Sequence, residues 1–130
     1  MENSFLKVKN YLIELEYNII SEDEKDGSFV IERESEGINN LLIVCADPML
    51  IIQQFLFEVK GDDAAVYKSL LMKNQDIIHG AFALDESGKK VLFRDTLQTE
   101  NLDINEIEAS LNSLAILLSE YSHKIIEFGK

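Results

Sequence analysis

The residues best suited to chemistry in this 130-residue chain are few: His79, His123, the single Cys45, and an acidic run, Glu22-Asp23-Glu24-Lys25-Asp26, that ends at Gly27. The two histidines stand far apart and neither lies in an H-E-x-x-H spacing, so they do not form a recognisable zinc set. Calcium loops alternate their oxygen ligands and close on a glutamate at a fixed offset; the acidic run does neither and reads as a solvated turn. Asp95 can meet His79 across a hairpin. With the acidic run, that pair is what a small metal-dependent enzyme would use, although a structural hydrogen bond explains it more simply. Arg94 and Asp95 are adjacent in a strand pattern, which sends their side chains to opposite faces and rules out a local acid–base unit. Ser69, Ser87 and Ser110 sit in no nucleophile elbow, and the glycines form neither G-x-G-x-x-G nor a Walker loop. The expectation is a chain with no catalytic residue, no cofactor and no metal ligand.

Charge narrows the partners. With 24 Asp and Glu against 12 Lys and Arg, the net charge is −12. Such a field repels nucleic-acid phosphates and anionic lipid headgroups and favours a partner that carries a basic segment. Apolar residues make up 46% of the chain, enough for a packed core, so the expectation is one domain spanning 1–130. Cys45 lies within Leu41-Leu42-Ile43-Val44-Cys45-Ala46, where a thiol behaves as a small core residue, and a lone cysteine forms no internal disulfide. Met1-Glu2-Asn3-Ser4 lacks the basic and apolar segments of a secretory signal. No apolar run approaches the roughly 20 residues of a membrane span, which fits a cytoplasmic protein without membrane insertion.

The elements that must position these side chains follow from periodicity. Phe5, Val8, Leu12 and Leu15 recur at steps of three and four, the spacing of an amphipathic helix, with Asn3 or Ser4 as its cap. Asn18 to Ser21 and Phe29 to Glu34 read as strands around the acidic turn. Leu41 to Ala46 and Met49 to Val59 are further strands joined at Asp47-Pro48. Asp62 or Asp63 caps a short helix with Val66, Tyr67, Leu70 and Leu71 on its apolar stripe; Asn74 ends it, a residue that tolerates the left-handed conformation. A hairpin from His79 to Thr96 turns at Asp85-Glu86-Ser87-Gly88. Asp103 and Glu106 then form a capping box, with Leu102 as a staple, at the start of a last helix. The order is α-β-β-β-β-α-β-β-α, an α+β chain.

Two surfaces in this arrangement lack an assigned cover. Met49 to Val59 is apolar at both parities: Met49, Ile51, Phe55, Phe57 and Val59 on one side, Leu50, Ile52 and Leu56 on the other. In a sheet backed by helices on one side, the second apolar face needs a further element, a second copy or another chain. Leu50, Ile52 and Leu56 are therefore the candidate interaction surface. In the last helix Ile104, Ile107, Leu111, Leu114, Leu118, Tyr121, Ile125 and Phe128 make a seam that either packs on the sheet or docks into a larger assembly.

Asn74-Gln75-Asp76-Ile77-Ile78-His79-Gly80-Ala81-Phe82-Ala83-Leu84-Asp85, with Arg94-Asp95-Thr96-Leu97 and Asn101-Leu102-Asp103, resembles the type III secretion chaperone-like superfamily, including its Tir-chaperone-like and YbjN-type members. The resemblance implies helices packed on a twisted, mainly antiparallel sheet, often as a homodimer, and a scaffold with no catalytic centre to carry over. It also implies a noncatalytic module that holds a client or partner protein segment on apolar sheet surface, in a chaperone-like or regulatory role. A structural subunit docking through its C-terminal helix is the alternative.

Overall fold

The computed structural model describes residues 4–130, and Asn3, one of the two proposed caps, lies outside them. The nine expected elements appear in the expected order: helices α1 (Ser4–Glu14), α2 (Ala64–Asn74) and α3 (Ile104–Phe128), and strands β1 (Asn18–Asp23), β2 (Ser28–Arg33), β3 (Ile38–Ala46), β4 (Met49–Glu58), β5 (Ala81–Leu84) and β6 (Lys90–Gln98). A short 3-10 turn, Glu34–Glu36, is added between β2 and β3. The strands form one antiparallel sheet in the order β1-β2-β3-β4-β6-β5.

All three helices cover the same face of that sheet. From α1, Phe5 stacks on Phe29 of β2 with ring centroids 4.3 Å apart. Tyr67 and Leu70 of α2 lie beside Phe82 and Val91. From α3, Tyr121 meets Phe82 at 5.9 Å and Phe128 meets Phe57 at 6.0 Å. Ile107, Leu111, Leu114, Leu117 and Ile125 of α3 are buried. The seam of the last helix is thus occupied by the chain's own sheet, which leaves Ile116 and Ile126 as the large apolar residues that α3 exposes.

Helix ends are set by local chemistry. Beyond α1, Glu16 takes a left-handed φ of 65°, and Tyr17 N–H donates to Leu12 C=O at 3.0 Å, closing the helix. Arg33 seals that end: its guanidinium donates to Leu15 C=O, pairs with Glu36 at 2.8 Å and lies 3.7 Å from the Tyr17 ring centroid. Asp63 caps α2, accepting from Ala65 N–H. Asn74 stays helical, and Gln75 after it is right-handed, so the left-handed ending expected at Asn74 does not form. α3 opens with the full capping box of Asp103 and Glu106, above a buried Leu102. Asp103→Ala is expected to cost about 1 kcal/mol in urea unfolding, since two N-terminal amides lose their acceptor.

Candidate interaction surface

Strand register decides which side chains share a face, because directly opposed residues point the same way. On the covered face β4 presents Leu50, paired with Cys45 and Leu97, and Ile52, paired with Ile43 and Asp95. Both Leu50 and Ile52 are 0% exposed. Leu56 is half-buried against the core, inside a bulge between Phe55 and Phe57. This corrects the sequence expectation: Leu50 and Ile52 are core residues, and Leu56 is the extra residue of the bulge.

The same strand provides the surface through its opposite parity. Val44 pairs with Ile51, Val30 with Leu42, and Phe55 with Leu92, so on the face that carries no helix these six residues form two apolar patches, Val30, Leu42, Val44 and Ile51 in one and Phe55 and Leu92 in the other. Phe55 is 53% exposed and Met49, at one end of the strand, 38%. The bulge then moves Phe57 and Val59 to the covered face, where both are buried. Sequence alternation placed Met49, Ile51, Phe55, Phe57 and Val59 together; one inserted residue divides them.

A polar pair separates the two patches. Gln53 pairs with Arg94, and the Arg94 guanidinium donates to Gln53 Oε1 at 3.1 Å. Toward the β1 edge Asn18 donates to Glu32 at 3.0 Å. At the far end Glu58 faces Lys90. The face therefore carries apolar patches on either side of a central Gln53–Arg94 pair, with hydrogen-bonded or charged groups at its margins, a mixture found at protein contact surfaces.

The residues singled out for chemistry are not brought together. His79 is fixed through its backbone: its N–H donates to Ser113 Oγ at 3.2 Å and its C=O accepts from the same hydroxyl at 2.7 Å, pinning the α2–β5 loop to α3. Asp95 sits on the covered face opposite Ile52, and its Oδ1 accepts from Thr96 N–H. Arg94, as expected, points to the other face. In the acidic run Asp23 Oδ1 accepts from the N–H groups of Lys25 and Asp26, a turn-forming role. Among the described residues no group of three or more His, Cys, Asp or Glu is placed to hold a metal. Cys45 is half-buried, and burial pushes its thiol up to about 11, with a hydrogen bond to Ser4 opposing and Asp47 reinforcing the shift.

Gln54 and Asn74 join Ser113 and Arg33 as polar residues whose roles escaped the sequence reading. Gln54 is buried; its Oε1 accepts from Asn39 N–H and its Nε2 donates to Gly37 C=O, tying the start of β3 to β4. Its parity with Leu50 and Ile52 was the available signal. Asn74, read only as a helix ending, bonds across to β5.

Among the described residues no helix is long and apolar enough to cross a membrane. No curated protein matches the chain. Solved structures do. YbjN from E. coli superposes with a TM-score of 0.70 at 12% identity, over 92% of each chain. A chain of the HopA1-SchA chaperone-effector complex gives 0.64 at 16% identity, over 92% of this chain and 94% of that one. The Yersinia pestis type III secretion chaperone SycH structure, a complex with a stable fragment of YscM2, gives 0.51 at 15% identity, over 97% and 98%. These likenesses show a shared α+β fold, and the family model CesT_Tir_1 matches residues 1–130; the chain belongs to that family, the type III chaperones.

Proposed function

We propose that this chain is a noncatalytic, cytoplasmic protein-binding module, acting as a single domain, that holds an apolar segment of a client or partner protein against the helix-free face of its sheet. The supporting observation is the pair of apolar patches, Val30, Leu42, Val44 and Ile51 beside Phe55 and Leu92, that no helix covers in a chain of net charge −12. Chaperone complexes among the structural neighbours favour the same reading. At about 25 cal/mol per Å² of apolar area removed from water, a band of several side chains supplies a useful driving force only when they are covered together. The partner segment is expected to present apolar residues to the two patches and to carry a basic stretch, as the net charge of −12 favours.

The reading of a subunit docked through the last helix has less support, because its seam is filled from within the chain. The metal-dependent enzyme has less still, since His79 and Asp95 are held by different partners.

Phe55→Glu tests the proposal. Affinity capture from the native cell identifies what co-purifies, and binding of that purified partner is then compared between wild type and variant. Phe55→Glu is expected to weaken binding at least tenfold, roughly the loss of one central contact. Leu6→Glu, an exposed position on α1, is expected to bind as wild type does. Unchanged affinity in Phe55→Glu would sink the assignment of this face. Sedimentation of the two proteins alone asks whether the partner is a second copy of the chain, the homodimer that the resemblance implies.

A further inference from the structure

The chain sets two arginines, Arg33 and Arg94, among 24 Asp and Glu. Arg33 pairs with Glu36, and Lys9, Lys89 and Lys124 each pair with a carboxylate as well. Arg94 has no such partner among the described residues; its Nη1 donates instead to the neutral Gln53 Oε1 at 3.1 Å. Its neighbours on the helix-free face are Gln53 across β4, Ala81 across β5, and Leu92 and Thr96 along β6, none of them charged. An exposed guanidinium therefore stands between the two apolar patches with no carboxylate beside it.

That placement makes the face selective. Under a wholly apolar segment the guanidinium would lose water and gain no acceptor, the penalty carried by any covered and unpaired charge. Under a segment with a carboxylate in the right place it gains a charge-assisted pair instead. With Nη1 turned to Gln53, the Nε and Nη2 donors remain, and together they form the edge that matches the two oxygens of a carboxylate. Gln53 also holds the planar group, so less side-chain freedom is lost when the pair forms.

Strand spacing sets the pattern of the partner. Ile51 and Phe55 lie two residues to either side of Gln53 on β4, about 13 Å apart at the rise of a strand. An extended segment laid on a sheet runs within about 30° of its strands, so its residues i, i+2 and i+4 meet Ile51, the Gln53–Arg94 pair and Phe55 in turn. We propose that Arg94 determines specificity on this face by receiving one Asp or Glu side chain, carried by the partner segment midway between apolar residues at i and i+4. The inference rests on the helix-free face being the partner-binding surface, and it adds the chemistry of the centre of that face. The segment is basic overall, as the net charge of −12 favours, with one carboxylate where the local charge is positive.

Two synthetic peptides test this on the full chain by fluorescence anisotropy. Both have lysine pairs at their ends and threonine alternating with leucine or valine between them; at the central apolar position one carries glutamate and the other glutamine. Wild type is expected to bind the glutamate peptide about tenfold more tightly, the effect of one charge-assisted pair, and the preference should shrink as salt is raised. Arg94→Gln is expected to abolish the preference and to bind the glutamine peptide at least as tightly as wild type does, since the unpaired cation is gone. A purely structural role for Arg94 would weaken both peptides alike. Phe55→Glu is expected to lose both. Equal affinities in wild type, with both peptides still lost in Phe55→Glu, overturn the role of Arg94 and leave the face standing. Binding that survives Phe55→Glu removes the face and the inference with it, and a glutamate peptide that fails to bind at millimolar concentration overturns the inference as well.

Discussion

Ile52→Glu is expected to leave no cooperatively folded protein in urea titrations followed by circular dichroism, whereas Ile51→Glu, one residue earlier, is expected to unfold with a midpoint close to wild type. Ile52 is 0% exposed, with Ile43 and Asp95 as its directly opposed neighbours on the covered face. Removing the buried aliphatic side chain costs about 2–5 kcal/mol from lost packing. Placing a carboxylate there adds several kcal/mol of desolvation, unrelieved because its nearest cross-strand ionisable neighbour, Asp95, has the same sign. A domain of this size is stable by about 5–15 kcal/mol in total, so the sum consumes most or all of it. Ile51 points to the uncovered face between Val44 and Thr96, where a glutamate keeps its water; the expected change is within about 1 kcal/mol. The reverse pattern, with Ile52→Glu folded and Ile51→Glu unfolded, would exchange the two faces and remove the proposed binding surface with them.

Gly80→Ala is expected to lower stability by about 3 kcal/mol, through two separable causes. Gly80 has φ +82°, a left-handed conformation that costs a residue with a Cβ about 1–2 kcal/mol. A Cβ at this position would also lie 2.6 Å from Phe93 Cε2 and 3.1 Å from the Arg94 carbonyl. Phe93 is fully buried, so its ring can move only by disturbing the core, a displacement worth roughly 1–3 kcal/mol. Gly88 provides the internal control: its φ is +74°, but a Cβ there meets nothing within 4 Å. Gly88→Ala should therefore show the conformational cost alone, and the difference between the two urea midpoints measures the clash. Equal losses for both variants would mean that Phe93 yields freely and that the β5 approach is loosely packed.

Both predictions depend on positions whose importance is unequally visible in the sequence. The glycine after His79 was legible as a strand-start residue, and its left-handed φ was not. The Asp103-Glu106 box, the Asp85-to-Gly88 turn and the Asp63 cap were legible because each is a short-range rule: a side chain reaches a backbone group two to five residues away, so spacing alone specifies the contact. The seam on α3 was legible as apolar and ambiguous as to its cover. Its cover proved to be the sheet, with Tyr121 on Phe82 and Phe128 on Phe57, contacts that join residues about 40 and 70 positions apart.

The candidate surface shows where local reading stops. A strand apolar at both parities states that both faces avoid water, and it carries no label for which face the helices take. Pattern alone chose Leu50, Ile52 and Leu56; register and helix placement put Leu50 and Ile52 beneath the helices and left Ile51 and Phe55 open. The bulge at Leu56 then shifted Phe57 and Val59 across, since one extra residue reverses every side chain beyond it.

By itself, then, the amino-acid sequence determined the nine elements, their order, the capped start of the last helix and the acidic field around the chain, all of which follow from composition and from interactions within a few residues. Only the tertiary structure decided that the helices gather on one face, that the opposite face of β4 is the exposed one, and that Asn74 bonds to the backbone of Phe82 in β5. Those outcomes depend on strand register and on the docking of distant elements, and neither has a local signature when both faces of the central strand are equally apolar.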